Sequence, residues 1–234
     1  MPHHVSPPRT MPTMISKAAG PAPTQEEVAG LLDSIFTAAT SDASVSAAYA
    51  LCDLFLNSVG FRGLSQYGVL AAIKKAAADK KSVAKRECAQ NLLGALFERL
   101  PPQQRISEVV LMVQDGGMVA CALDALADKS SVVRESAQYG LDELFKNLSS
   151  EALVVGLLPA LSTYLAKATG KWQGTVGGYK LLQKMADKAK LEVGSSKEEA
   201  NDKDILREAM GTKLGGLIPI VEAGMHDLKT EVEK

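Results

Sequence analysis

DKSSVVRESAQYGLDELFKNL, from Asp128 to Leu148, repeats a pattern that the chain has already used between Asp79 and Leu100. Arg86, Glu87, Ala89 and Gln90 return 48 places on as Arg134, Glu135, Ala137 and Gln138, and Leu93, Leu96, Phe97 and Leu100 return as Leu141, Leu144, Phe145 and Leu148. Asp79 with Asp128, and Val83 with Val132, agree at a spacing of 49, which brings the matching positions to ten. The recurring apolar residues fall at i, i+3, i+4 and i+7, the spacing of one stripe along a helix. One helix cannot bury that stripe alone, so successive copies must stack.

Helical self-similarity at this distance predicts an all-α solenoid of the HEAT and armadillo kind, whose two-helix repeats run about 40 to 47 residues. Partial copies on either side extend it to four to five helix pairs. The composition agrees: 46% of the 234 residues are hydrophobic and 23% charged, with one Trp and ten other aromatics. The apolar content is chiefly Leu, Ala and Val without long β-branched runs, which suits helix packing more than sheets. Cys52, Cys88 and Cys121 stand apart, each within an apolar helical pattern, and read as buried thiols in a reducing compartment.

Residues 1–23 hold six of the ten prolines and show no apolar period, the pattern of a disordered lead-in. His3 and His4 lie there without further ligands nearby and read as a solvated tail. No stretch offers the roughly 18 unbroken apolar residues that span a membrane, and the chain reads as a soluble cytoplasmic protein, with shuttling between nucleus and cytoplasm as the alternative. Order is expected from Thr24, which forms a capping box with Glu27 ahead of Val28, Leu31, Leu32, Ile35 and Phe36. A partner helix is expected from a serine cap near Ser44 to Gly60. The second pair is Leu64–Ala78 with Ser82–Leu100, and the third is Ser107–Ala127, broken at Gly116 and Gly117, with Ser131–Leu148.

The fourth pair is Glu151–Lys167, containing Pro159, with Lys171–Lys190. Gly174, Gly177 and Gly178 in its second helix imply either close packing or local disorder. Lys190–Asp204, polar and mixed in charge, reads as an exposed connection. Leu217–Val221 echoes Leu157–Leu161, and Asp227 begins another copy of the turn seen at Asp79 and Asp128. The last repeat is incomplete, so residues 24–234 read as a repeat domain cut off inside a longer protein.

Lys171, Trp172 and Gln173 opening a helix, Leu217–Pro219 further on, and the turn from Asp227 through Lys229 to Val232 resemble the N-terminal HEAT domain of the fungal translation elongation factor three family. Val113–Gly117 and Asp124–Lys129 are more similar to the branch described as a prion-forming paralogue in budding yeast and an mRNA export factor in fission yeast. The resemblance implies a cytosolic protein with tandem ATP-binding cassettes that use ATP and magnesium. It implies the ribosome as partner, through ribosomal RNA and proteins, in elongation, termination or recycling, and mRNA export factors as the alternative. Two features depart from it: the Asn/Tyr-rich stretch of the budding-yeast paralogue is missing, and no cassette is present.

The residues themselves offer no catalyst. No G-x-x-x-x-G-K-[ST], HExxH, CxxC or GxSxG occurs, and His3, His4 and His226 are too dispersed to pair with a nucleophile. The chain by itself is therefore expected to be non-catalytic and without cofactor or metal. The turns inside each repeat should line one edge of a solenoid. They carry Lys74, Lys75, Lys80 and Lys81 in the second pair, Lys129 in the third, Lys167 and Lys171 in the fourth and Lys229 in the fifth. A chain of formal charge -1 that sorts lysines onto one edge is expected to face phosphates there; the resemblance implies that these are those of ribosomal RNA, met by a monomer. Solvated turns are the plainer reading, because Asp79, Asp128 and Asp227 share the edge. In HEAT repeats such an aspartate and an Arg of the following helix hydrogen-bond between neighbouring repeats; Asp79 with Arg86 and Asp128 with Arg134 match that pattern and read as structural. Trp172 either stacks on a base or packs between repeats, and Tyr67, Tyr139 and Tyr164 read as packing.

Overall fold

The computed structural model describes residues 20–61, 63–99, 117–148, 152–167 and 171–195, together with Pro219 and Glu222, and no strand occurs among them. Helices α1 (Gln25–Phe36) and α2 (Ser41–Leu56) form the first pair. The second is α3 (Gly63–Gln66) and α4 (Val69–Ala77) against α5 (Val83–Glu98). The third is α6 (Met118–Ala125) with α7 (Ser131–Asn147). The fourth is a π-helical turn (Leu153–Leu157) continuing as α8 (Leu158–Lys167), with α9 (Trp172–Ser195). First helices pack on first helices and second on second, in two layers, so the described chain is an all-α solenoid.

The repeated stripe is the core. Leu93, Leu96 and Phe97 of α5 and Leu141, Leu144 and Phe145 of α7 are all buried, as are Ile35, Phe55, Ile73 and Leu123 from their neighbours. Each such side chain contributes about 1.5–3 kcal/mol on burial. The tightest seam lies between α5 and α7. A Cβ on Gly140 would stand 3.0 Å from the Cα of Gly94 and 3.3 Å from its nitrogen, so two glycines let the helix backbones meet.

Several expectations are refined. The capping box at Thr24 is present: its hydroxyl accepts from the amide of Glu27 at 3.1 Å and its own amide donates to the Glu27 carboxylate at 2.7 Å. The cap of α2 is Thr40, accepting from the Ala43 amide at 3.2 Å, and not Ser44, which is turned into the core with no exposed surface. The single helix expected over Leu64–Ala78 is broken at Gly68, whose φ of 73° a side chain would disfavour. Gly117 likewise takes φ 61° and starts α6, the break expected there. Residues 20–23, expected to lack order, are held instead. The Gly20 amide donates to Asn57 O at 2.7 Å, Pro23 is buried, and Tyr67 Oη donates to Pro23 O at 2.9 Å.

Pro159 is accommodated by winding. It has no N–H for the carbonyl four residues back, and the preceding turn adopts i→i+5 bonding, with the Leu158 amide donating to Leu153 O. The glycines of α9 are close-packing positions. A Cβ on Gly174 would lie 2.8 Å from Cβ of Ala127, and one on Gly177 3.2 Å from a methyl of Leu126. Helix α9 also continues to Ser195, so the stretch expected as a connection from Lys190 begins as helix. Its remainder lies outside the described residues, as do Ser107–Gly116 and most of the last expected repeat, of which only Pro219 and Glu222 are described, both helical and exposed.

Candidate nucleic-acid interface

The turns inside the four pairs come together along one edge. Phe36, at the end of α1, lines a groove with Asp79 of the second turn and Lys85 at the start of α5. Arg86 links the second turn to the third: its Nε donates to Oδ2 of Asp128 at 2.7 Å and its Nη2 to Oδ1 at 3.1 Å. The close approach of Gly174 to Ala127 then brings the start of α9 against the third turn.

The aspartates of this edge are engaged inward. Asp79 Oδ1 accepts from the amides of Lys81 and Ser82 at 2.8 and 2.9 Å, and these bonds hold its carboxyl below the usual aspartate value. Partial burial pushes the Asp128 carboxyl upward, but the Arg86 hydrogen bonds and the Ser130 amide outweigh it, leaving the group below its usual value. The expected link between neighbouring repeats is thus present, from Arg86 to Asp128. The carboxylate that meets Arg86 is Asp128 of the next turn, while Asp79 of its own turn offers a main-chain carbonyl to Nη1 at 2.9 Å. Arg134 repeats the second half of this arrangement, donating to Asp128 O at 2.7 Å and Lys129 O at 3.0 Å.

The lysines face outward. Lys80, Lys81, Lys129, Lys167 and Lys171 are all exposed at the stacked turns, and none forms an ion pair among the described residues. Lys75 is exposed beside the first groove. Lys74 departs from the row: its side chain lies over Gly117, in the seam between α4 and α6, and lines a cleft of about 190 Å³ with Cys121, Asp124 and Gln90. Lys229 lies outside the described residues. Trp172, in the first turn of α9 and next in sequence to the exposed Lys171, is 37% exposed, so it is only partly packed. Lys85, which its spacing did not mark, is half-exposed on the same edge but ion-paired, 3.9 Å from Asp79.

The opposite edge carries a second set of links that the repeat pattern conceals because the residue type changes. Arg99, Asn147 and Lys188 occupy matching positions at the ends of α5, α7 and within α9, and each reaches back to the preceding second-layer helix. Arg99 lies over the Tyr49 ring at 5.0 Å and 3.5 Å from Asp53. Asn147 Nδ2 donates to Phe97 O at 3.2 Å and Glu98 O at 3.1 Å. Lys188 Nζ donates to Phe145 O at 2.8 Å and also to Leu148 O. Asn147 and Lys188 thereby satisfy carbonyls that a helix end leaves open, where the charge of Lys188 is also favoured, whereas Arg99 meets side chains.

Three tyrosines divide differently from expectation. Tyr67 packs edge-on to Phe55 at 5.5 Å, and Tyr164 is half-buried against Gly174 and Gly178. Tyr139, read as packing, is 53% exposed, and its hydroxyl donates to Glu98 Oε2 at 3.3 Å, an oxygen that also accepts from Tyr49. Tyr49 of α2, Glu98 of α5 and Tyr139 of α7 thus meet on one face, beside Arg99. The cysteines are free thiols; Cys52 and Cys88 are buried and Cys121 half-buried. Burial pushes the Cys52 thiol up to about 12, which keeps it protonated. No group of His, Cys, Asp and Glu suited to a metal occurs among the described residues, and no described helix is long and apolar enough to cross a membrane.

Comparison with known proteins agrees with this architecture. The mRNA export factor elf1 of Schizosaccharomyces pombe is 26% identical over 210 residues, covering 90% of this chain but 18% of that protein. The chain thus spans less than a fifth of the length of this relative. A family model described as the EF3 N-terminal HEAT repeat matches residues 44–199, about two thirds of the sequence and all four helix pairs in part. Stacked two-helix repeats, the Arg86–Asp128 link between their turns and this match together make the chain a member of the EF3 N-terminal HEAT repeat family.

Proposed function

We propose that this chain is the ribosome-binding HEAT domain of an elongation-factor-three-like tandem ATPase, and that its turn edge meets ribosomal RNA during translation. One observation carries the reading: exposed, unpaired lysines recur on stacked turns whose aspartates are turned inward onto Arg86 and backbone amides. Positive charge so arranged along an edge attracts a phosphate backbone without reading base sequence. Trp172, partly exposed and next in sequence to Lys171, offers a ring on which an unpaired base can stack.

In this reading the chain has no catalytic activity of its own, binds neither nucleotide nor metal, and acts as a monomer in the cytoplasm. ATP and magnesium belong to cassettes elsewhere in the intact protein. A second reading follows from the fission-yeast relative, whose name is that of an mRNA export factor. On it, the chain is a scaffold of the export-factor branch, found in nucleus and cytoplasm, that holds protein partners on the tyrosine-bearing face of α2, α5 and α7. Sedimentation through a sucrose cushion with purified ribosomes separates the two. Co-sedimentation that is lost in K80Q/K81Q/K129Q supports the first. Absence of co-sedimentation, or retention in that variant, removes it.

A further inference from the structure

The cleft that Lys74 lines belongs to the turn edge. Ala77 and Ala78 from the end of α4 and Asp124 and Ala125 from the end of α6 line it, and the turns that follow those helices carry the exposed Lys80, Lys81 and Lys129. Its volume of about 190 Å³ exceeds the roughly 150 Å³ of an engineered cavity that holds benzene. One six-membered ring therefore has room, and a folded segment of a partner does not.

The polar groups of the cleft are unmatched. Gln90 lines it at 1% exposure, and its Oε1 has no hydrogen-bond partner among the described residues. A buried acceptor left without a donor is destabilising, so a donor from outside the chain is favoured there. Lys74 and Asp124 line the same cleft, both exposed, and neither enters an ion pair among the described residues. Asp128 lines it too, but its carboxylate is taken by Arg86. What remains is one ammonium donor and two acceptors, an amide oxygen and a carboxylate, beside the buried Ala125 and Val133.

That set complements the Watson–Crick edge of guanine, which carries two adjacent donors, N1–H and the N2 amine, beside the acceptor O6. Adenine, cytosine and uracil each present one donor group on that edge, so each leaves Gln90 or Asp124 unmatched. An arginine side chain would serve both acceptors but would set its charge against Lys74. Unpaired bases of RNA are read by hydrogen bonds to this edge.

We propose that the cleft between α4 and α6 takes an unpaired guanine of RNA, with Gln90 and Asp124 accepting from N1–H and the N2 amine and Lys74 donating to O6. The site rests on the RNA reading of the turn edge and adds a selection to it: the lysines position the backbone, and the cleft reads a base.

The test is fluorescence anisotropy of the full chain with labelled oligouridine and with the same strand carrying one central guanosine or inosine. The guanosine strand should bind about tenfold more tightly than oligouridine. Inosine, which lacks the N2 amine, should lose most of that gain. D124A should abolish the preference while leaving the affinity for oligouridine at least as high; Asp124 is exposed, so the fold does not depend on it. K80Q/K81Q/K129Q should weaken every strand alike. Cys121 gives a second readout inside the cleft, because it is half-buried there while Cys52 and Cys88 are buried. Its alkylation by N-ethylmaleimide should be slowed severalfold by the guanosine strand and not by oligouridine. Equal affinity for the guanosine strand and oligouridine would overturn the guanine site alone, whereas absence of binding to any strand would overturn it together with the RNA reading. Competition by free GMP as effective as that of the guanosine strand would assign the cleft to a nucleotide and overturn the proposal. Protection of Cys121 by N-acetylarginine amide and not by the guanosine strand would overturn it in favour of a protein side chain.

Discussion

Arg86 crosses from one repeat to the next to grip Asp128, with bonds of 2.7 and 3.1 Å, and the two side chains are only about one-seventh exposed. The residues that mark the repeat in the sequence are thus the residues that join its copies. Breaking one side of a buried pair leaves the other charge uncompensated and costs about 3–5 kcal/mol; this partly solvated pair should lie lower, near about 2–3 kcal/mol. Arg86→Met is expected to lower the urea midpoint accordingly. A change below about 0.5 kcal/mol would show that the link is incidental.

The same pair sets a pH dependence. The folded Asp128 carboxyl titrates below its unfolded value of about 4. Its contribution is therefore complete above that value and is lost as the pH falls through the lower folded value. The stability gap between the natural chain and Arg86→Met should stay constant from about pH 7 to 5 and narrow toward about pH 3. A gap that widens on acidification would contradict the assignment.

Gly140 and Gly94 give a steric prediction. Alanine at Gly140 would place its Cβ 3.0 Å from a backbone atom, which cannot rotate away, whereas Gly94→Ala meets its nearest atom at 3.5 Å. Overpacking of this kind costs about 1–3 kcal/mol. Gly140→Ala should fall in that range and Gly94→Ala well below it, as measured by thermal unfolding. Equal effects would mean that the helices separate freely.

Much of this was legible beforehand. The period from Arg86 to Arg134 marks stacked helix pairs, and the i, i+3, i+4, i+7 residues of α5 and α7 are the core. What escaped has physical reasons. Ser44 and Thr40 both suit a helix cap, and only the packing of α2 decides that Ser44 is buried. Gly68 interrupts a helix without disturbing the phase of Leu64, Leu70 and Ile73, so the apolar stripe reads straight through it. Arg99, Asn147 and Lys188 each tie a second-layer helix to the one before it through different chemistry, which identity matching cannot detect. The lysines were visible as a row, but not that Lys74 turns aside over Gly117, nor that Asp79 and Asp128 face inward.

Lys188 should behave as a helix cap and not as a surface charge. Lys188→Met removes its bonds to Phe145 O and Leu148 O and is expected to cost about 1 kcal/mol, little affected by salt. Lys80→Met on the opposite edge should be neutral within about 0.5 kcal/mol. Hydrogen exchange at the end of α7 should quicken only in the first variant.

The central claim is tested most directly by the salt dependence of ribosome binding. Each neutralised phosphate contributes about -0.7 to -0.9 to the slope of log affinity against log salt. If about four edge lysines engage RNA, the natural chain should show a slope on the order of -3. Replacing Lys80, Lys81, Lys129 and Lys167 by glutamine should bring it close to zero while the melting temperature holds. Binding indifferent to salt, or a slope unchanged in the quadruple variant, would contradict the claim that this edge faces RNA.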